Sequence, residues 1–267
     1  MEKTTAYRDK EIFYQAHGKG KAVVLIHGFA EDGTIWDDHV NRLQNNFRLI
    51  IPDIPGSGRS SLISPAPTIE DYADCIRAIM HTEKITDCVM IGHSMGGYIT
   101  LAFAERYPDL LKGIGFFHST AYADSEEKKD TRRKSIAFIR QYGAAPFIEQ
   151  FTPNLFSENF KKKNPHIVSV LAQRYINFDP VSLISYHEAM LQRPDRTHIL
   201  KTFPNPVLFI IGEQDKAIPL QESLLQSHIP QLSFIHILEN TAHMGMMEDI
   251  HESTISVESF LKQIVNF

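Results

Sequence analysis

Residues 92–96, with the sequence Gly-His-Ser-Met-Gly, decide the fold of this chain. They follow a short apolar run, residues 88–91, and precede a helix-like stretch, residues 97–107. A G-x-S-x-G pattern between a strand and a helix forms a turn so tight that its serine takes a strained backbone conformation. Its two glycines occupy positions where a Cβ would clash as the helix passes the strand. The pattern therefore predicts that the Ser94 hydroxyl stands clear of the strand end as a candidate nucleophile.

A serine hydroxyl is a poor nucleophile unless a base takes its proton and a third group orients that base. His243 and Asp215 each directly follow an apolar run that predicts a strand, and they are the candidate base and acid. Ligands bind at such C-terminal strand ends in open α/β sheets. The order Ser94, Asp215, His243 is therefore that of a triad on this kind of sheet. Glu239 and Asp249 are rival carboxylates, but neither follows the preceding strand as that arrangement requires.

The attack of a serine on a carbonyl also needs hydrogen-bond donors for the charge that develops on the carbonyl oxygen. One donor is expected to be the backbone N–H of Met95, the residue after the nucleophile. The other is expected from the loop after an early strand, where the apolar run 23–26 leads into His27-Gly28-Phe29.

Several segments together resemble the α/β-hydrolase superfamily, and they are residues 27–29, 53–60 and 92–97 with Asp215 and His243. The chain is most similar to the small, soluble, lid-bearing bacterial esterases and lactonases of that superfamily. The resemblance covers nearly the whole chain except residues 121–194. It implies that the N–H of Phe29, directly after His-Gly, is the second oxyanion donor. It also implies an inserted lid over the strand ends.

Alternating strand and helix patterns predict an α/β-hydrolase fold, a doubly wound and mostly parallel sheet of about eight strands with an inserted helical lid. Most of the strands are continuous apolar runs, as is typical of parallel strands covered on both faces. Thr68 predicts the start of a helix that runs to about residue 82, and an apolar stripe predicts a last helix over 250–266. The strands are predicted at residues 4–8, 11–16, 22–27, 47–51, 87–92, 111–117, 206–212 and 232–238.

Residues 122–191 contain no convincing strand, only helix-like segments rich in Phe and Tyr. We therefore predict a lid of about four helices over residues 121–194, inserted into a core domain of residues 1–120 and 195–267. Such a lid excludes water and supplies substrate contacts, although most of its aromatic residues are expected only to pack its helices together. The segment also holds more basic than acidic residues. A solvated helix face explains this better than attraction of an acidic substrate.

Composition narrows the class of protein further. A length of 267 residues and a hydrophobic fraction of 43% fit one large globular domain. The net charge of −5 disfavours nucleic-acid binding, and no apolar run is long enough for a membrane span. The polar N-terminus predicts a cytoplasmic protein, with Cys75 and Cys88 as buried free thiols. Neither a metal-binding spacing nor a dinucleotide pattern is present, so we expect no metal and no cofactor.

Together these features predict a serine hydrolase. It is expected to cleave an ester, thioester or lactone of a small to medium, mainly apolar compound through an acyl-enzyme. Specificity is expected to depend on the lid and on residues beside the triad, for which His27, His118 and Met244 are the candidates.

Two other classes of function remain open on the sequence. Carbon–carbon bond hydrolases and lyases use the same triad, although the ring-cleavage hydrolases usually carry Asn where this chain has His93. Other proteins of this fold keep an intact triad but act as small-molecule receptors whose lid moves to recruit a partner. Turnover separates these classes, because an enzyme hydrolyses p-nitrophenyl esters through many cycles and a receptor stalls after the first.

Overall fold

The computed structural model describes residues 1–265, and its centre is a single eight-stranded sheet. The strands are β1 (Glu2–Tyr7), β2 (Lys10–His17), β3 (Ala22–Ile26), β4 (Arg48–Pro52), β5 (Cys88–His93), β6 (Leu111–Phe117), β7 (Val207–Gly212) and β8 (Ser233–Leu238). Their order across the sheet is β1-β2-β4-β3-β5-β6-β7-β8. The β1–β2 and β2–β4 pairs are antiparallel and every other pair is parallel. The predicted α/β-hydrolase sheet is therefore confirmed, including the hairpin at its start.

The strands form where the sequence is continuously apolar. All residues of β5 and β7 are buried, which requires cover on both faces of the sheet. The edge strand β8 alternates between exposed and covered positions instead. Cys75 and Cys88 are buried free thiols, as predicted.

Twelve helices surround the sheet within the described residues. They are α1 (Asp37–Leu43), α2 (Ile69–Thr82), α3 (Met95–Arg106), α4 (Glu126–Tyr142), α5 (Ala144–Phe151), α6 (Glu158–Lys163), α7 (Pro165–Tyr175), α8 (Pro180–Gln192), α9 (Thr197–Thr202), α10 (Leu220–Ser227), α11 (Gly245–Glu248) and α12 (Ile250–Val265). Thr68 caps α2 as predicted, and it exchanges hydrogen bonds with Asp71 in a capping box. In the part of the chain that the structure describes, no helix is both long and apolar enough to cross a membrane.

Five helices, α4 to α8, lie between β6 and β7 within residues 121–194, where about four helices were predicted. Gly143, with φ of 83°, ends α4 and directly precedes α5, so the chain forms two helices there. The division of the chain into a core domain and a lid domain stays a prediction. The last two residues of the predicted core domain, and the last residue of the predicted final helix, lie outside the described residues.

Buried ion pairs fasten both ends of the inserted segment. Asp124, just before α4, contacts Arg132 at 2.5 Å and Arg193 at 2.9 Å. The guanidinium of Arg193 also lies 3.9 Å from the ring centroid of Tyr98 on α3. Because Arg193 directly follows α8, one buried cluster joins both ends of the inserted segment to α3, the helix that follows Ser94.

Candidate active site

Three of the predicted site residues lie at the same edge of the sheet. Ser94 follows β5, Asp215 lies three residues after β7, and His243 lies in the loop after β8. These parallel strands all end on this side, and β6 alone separates β5 from β7. The sheet topology therefore delivers the three side chains to one region.

Ser94 has the strained conformation that the G-x-S-x-G pattern predicted, with φ of 49° and ψ of −115°. A Cβ on Gly92 would lie 2.1 Å from the backbone of Gly96, and one on Gly96 would lie 2.5 Å from the carbonyl oxygen of Ile26. Glycine is required at both positions because the backbones touch there. Ser94 itself is half-buried, and its hydroxyl makes no hydrogen bond within residues 1–265, as is common for catalytic groups before substrate binds.

Asp215 and His243 form a buried hydrogen-bonded pair. The distance from Nδ1 of His243 to Oδ2 of Asp215 is 2.7 Å. The other oxygen of Asp215 accepts hydrogen bonds from the backbone N–H groups of Ala217 at 2.8 Å and Ile218 at 3.0 Å. Although burial opposes ionisation, the neighbouring His243 holds the pKa of Asp215 well below its usual range. Asp215 is therefore an ionised acceptor, which fixes the proton of His243 on Nδ1 and leaves Nε2 free.

The imidazole of His243 is enclosed, and its charge is favoured by carboxylates. Burial lowers its pKa, but the charge and hydrogen bond of Asp215 outweigh burial, and the net result is a raised pKa. The backbone N–H of His243 donates to the carbonyl oxygen of Leu155, in the inserted segment, at 2.9 Å. Its backbone carbonyl accepts a hydrogen bond from Nε2 of His93 at 3.0 Å. Because His93 directly precedes Ser94, this bond joins the histidine loop to the serine turn.

Two backbone N–H groups beside Ser94 are unoccupied. Within the described residues, neither Phe29 nor Met95 donates its N–H to any acceptor. A Cβ on Gly28 would lie 3.1 Å from the Cβ of Ser94, so the loop that carries Phe29 lies directly against the serine. Met95 is the first residue of α3, where free N–H groups and the helix dipole favour negative charge. These donors could stabilise an oxyanion at this position.

The ring of Phe29 lies in a cluster of aromatic side chains from the inserted helices. Its centroid is 6.0 Å from Phe147, 5.3 Å from Phe151, 6.2 Å from Tyr186 and 4.5 Å from the ring of His187. Both ring nitrogens of His187 are buried without a hydrogen-bond partner among residues 1–265. Burial lowers the pKa of His187 to about 3. The cluster is therefore an apolar wall that contains one neutral histidine.

The three predicted pocket residues are buried, and two of them are held by the chain itself. Nε2 of His27 accepts from the N–H of Ile54 at 2.8 Å, and its Nδ1 donates to a neighbouring carbonyl. Nδ1 of His118 accepts from the N–H of Gly212 at 3.1 Å and lies 3.5 Å from the carboxylate of Asp215. Met244 is fully buried and directly follows His243. These contacts brace the loops, and a role for the three residues in substrate binding stays a prediction.

Sequence reasoning missed Glu31, His187 and Glu248. Glu31 contacts the serine turn, His187 contacts Phe29, and Glu248 accepts the N–H groups of Ala242 and Ser157. Each has at least one contact with a residue that is distant in sequence, and no local pattern predicts such a contact. The only sequence signal was the carboxylate of Glu31, two residues after Phe29.

Comparison with known proteins gives the same fold. Residues 21–250 match the sequence model of the alpha/beta hydrolase fold family. The chain is 25% identical over 266 residues to a pimeloyl-[acyl-carrier protein] methyl ester esterase of Yersinia pseudotuberculosis, with 97% of each chain covered. It is 24% identical over 225 residues to a putative carbamate hydrolase of Pantoea ananatis, which covers 82% of this chain and 81% of that protein.

Solved structures agree with this match. A malate-bound thermophilic esterase from Thermogutta terrifontis superposes with a TM-score of 0.92 at 28% identity, with 99% of both chains covered. An enol-lactonase from Burkholderia xenovorans gives a TM-score of 0.90 at 22% identity, covering 97% of this chain and all of that one. The family match spans most of the chain and the superpositions span nearly all of it. The chain therefore belongs to the alpha/beta hydrolase fold family.

Proposed function

We propose that this alpha/beta hydrolase enzyme cleaves an ester, thioester or lactone of a small to medium compound through an acyl-enzyme on Ser94. The observation that carries the proposal is the buried 2.7 Å hydrogen bond between Asp215 and His243. It fixes the imidazole tautomer that a serine nucleophile requires. The esterases among the similar proteins support the choice of an ester bond.

In the proposed reaction, Nε2 of His243 takes the hydroxyl proton of Ser94 as its Oγ attacks the carbonyl carbon. The N–H groups of Phe29 and Met95 donate to the oxyanion of the tetrahedral intermediate. His243 then protonates the leaving alcohol or thiol, and the acyl group stays on Ser94. In the second half, His243 activates a water molecule, and the acid is released with the serine restored.

The wall around Phe29 supports an acyl group that is mainly apolar. Aromatic and aliphatic walls with few polar groups are typical of small-molecule sites. The neutral ring of His187 adds one donor and one acceptor to that wall. The mainly apolar compound that the sequence predicted is therefore kept in our proposal, and His187 adds one polar position to the pocket that binds it.

Covalent labelling and turnover test the proposal together. A fluorophosphonate that labels activated serines should modify Ser94, and mass spectrometry identifies the labelled residue. Ser94→Ala should lose both labelling and hydrolysis of p-nitrophenyl esters, whereas the exposed control Ser61→Ala should keep both. Labelling at another serine, or wild-type turnover by Ser94→Ala, contradicts the mechanism. Turnover that stops after one cycle favours the receptor alternative.

A further inference from the structure

Two buried ionisable side chains outside the proposed triad contact both the loop that carries Phe29 and the loop that carries His243. Glu31 is 3% exposed and lies in the loop after β3, and His93 is 1% exposed and ends β5. Oε2 of Glu31 lies 2.9 Å from Nδ1 of His93 and accepts the N–H of Gly28 at 2.6 Å. On its other side, His93 contacts the carbonyl oxygen of His243. The two side chains are called here the Glu31–His93 pair.

The hydrogen-bond partners of the pair determine how many protons it carries. A carbonyl oxygen only accepts, so Nε2 of His93 must hold a hydrogen for its 3.0 Å bond to His243. A neutral imidazole would then present a bare lone pair from Nδ1 to the carboxylate oxygen of Glu31. Two lone pairs at 2.9 Å repel each other, so a second proton must lie between these atoms. The pair is thus neutral overall, with an imidazolium facing a carboxylate.

The charged groups around the pair agree with this assignment. Burial would raise the pKa of Glu31, but the charge and hydrogen bond of His93, with a smaller effect of His27, hold it below its usual value. His27 lies in the same loop, and His243 with its partner Asp215 faces His93 from the loops after β8 and β7. The ring of His118, after β6, lies 6.2 Å from that of His93, and Glu248, on α11, acts electrostatically on His243.

The pair contacts both the loop that carries Phe29 and the loop that carries His243. It can therefore hold the proposed oxyanion donor and the proposed base at the same time. Gly28, which it binds, immediately precedes Phe29, and Ala30 beside it is strained with φ of 58°. A Cβ on Gly28 would lie 2.8 Å from Nδ1 of His93, so the loop is seated directly on the pair. Strained backbone persists only where its surroundings fix it.

We propose that the Glu31–His93 pair is a positioning element that holds the Phe29 N–H and His243 in register with Ser94. This inference rests on the proposed function for its catalytic consequence, but the protonated pair itself can be observed without turnover. Both Gly28 and His93 donate to the same oxygen of Glu31. A glutamine cannot serve both, because its oxygen would leave His93 without a counter-charge and its NH₂ group would oppose the Gly28 N–H.

The first experiment is proton NMR of Ser94→Ala, which needs no substrate. Two downfield exchangeable protons are expected, one between His243 and Asp215 and one between His93 and Glu31. Adding Glu31→Gln should remove the second signal and keep the first, while adding Asp215→Asn should do the reverse. The proposal is overturned if Glu31→Gln leaves both signals in place or if only the Asp215-dependent signal ever appears. If wild-type protein hydrolyses no ester but the two signals are present, the proposed function fails and the pair stands.

The second experiment separates positioning from general stability. Loss of an oxyanion donor costs roughly 10²–10³ in kcat, so a loosened donor in Glu31→Gln should lower kcat by at least tenfold with KM little changed. The control is Glu83→Gln, which removes a carboxylate that is equally buried against Lys3 and Arg48, far from Ser94. The control should lose thermal stability and keep kcat. An unchanged kcat in Glu31→Gln, or a loss in both variants that follows their stability, overturns the positioning role. If Glu31→Gln fails to fold, the proton NMR spectrum of Ser94→Ala is compared with that of Ser94→Ala carrying His93→Gln. Loss of the second downfield signal with His93→Gln supports the proposal, and its persistence overturns it.

Discussion

Asp215→Asn is the sharpest single test of the proposed site, because the structure dictates which way the new amide points. The N–H groups of Ala217 and Ile218 both donate to Oδ1 of Asp215. An asparagine keeps these bonds only if its oxygen occupies that position. Its NH₂ group then faces Nδ1 of His243, which must become an acceptor.

The proton of the imidazole consequently moves to Nε2, the atom that should receive the proton of Ser94. The ring keeps its place but cannot act as a base. In the serine protease template the same change lowers kcat by roughly 10⁴-fold, which is about 5 kcal/mol of transition-state free energy. We expect a loss of that order in kcat/KM, because His243 here depends on Asp215 in the same way.

The assay is hydrolysis of a p-nitrophenyl ester, with thermal unfolding measured in parallel. The matched control is Glu239→Gln, which removes an exposed carboxylate from the same loop region and should keep wild-type activity. A folded Asp215→Asn variant within tenfold of wild type would refute the assignment of the acid. A dead Glu239→Gln variant would identify the acid in its place.

Three further experiments test other parts of the site. Because His243 must be neutral to act as a base and its pKa is raised above the ordinary 6.5, kcat/KM should rise with pH through a midpoint above 6.5; a lower midpoint contradicts the Asp215 contact. Gly92→Ala should destabilise the fold by about 2 kcal/mol or more in urea unfolding, since its Cβ meets backbone at 2.1 Å. From acetate to decanoate esters, kcat/KM should rise by at most about fourfold per CH₂ and then fall. Phe147→Leu should move the optimal ester length to longer chains. The control Phe138→Leu, at a half-exposed position of α4, should not move it. A flat profile of kcat/KM against chain length contradicts an apolar pocket.

The sequence was sufficient for the fold because the features that determine it are local. Continuous apolar runs predict the strands of a covered parallel sheet, and the glycines around Ser94 predict a turn that almost no other sequence can form. The observed φ of 49° at Ser94 is the strained conformation that this pattern predicts. Asp215 and His243 could be placed at the same edge for the same reason, since each follows a strand.

The remaining features depend on contacts between distant residues. Glu31 is 62 positions from His93, and His187 meets Phe29 only because α8 folds back over the strand ends. A carboxylate in a loop is expected to be solvated unless the loop is known to be buried. The number of inserted helices was also underestimated, because the effect of Gly143 depends on its φ, which composition does not reveal.

Several of the non-glycine residues with positive φ in this structure lie at the proposed site. Arg8, Asp9 and Lys84 lie in turns, whereas Ala30, Ser94, His118 and Asn240 lie after strands in the loops of the proposed site. Such conformations cost of order 1–3 kcal/mol each and persist only when other contacts impose them.

Those imposing contacts come from the neighbouring strands and loops. The N–H of Ser94 donates to Phe117, its carbonyl accepts from Ser119 at 2.7 Å, and the N–H of His118 donates to Ile210 at 2.9 Å. Ser94 and His118 are therefore each held by the elements beside them. Because electrostatic stabilisation of an oxyanion depends on donors that need no reorganisation, this strain is consistent with a site whose backbone geometry is set by folding. We expect the inserted helices to determine which acyl group binds.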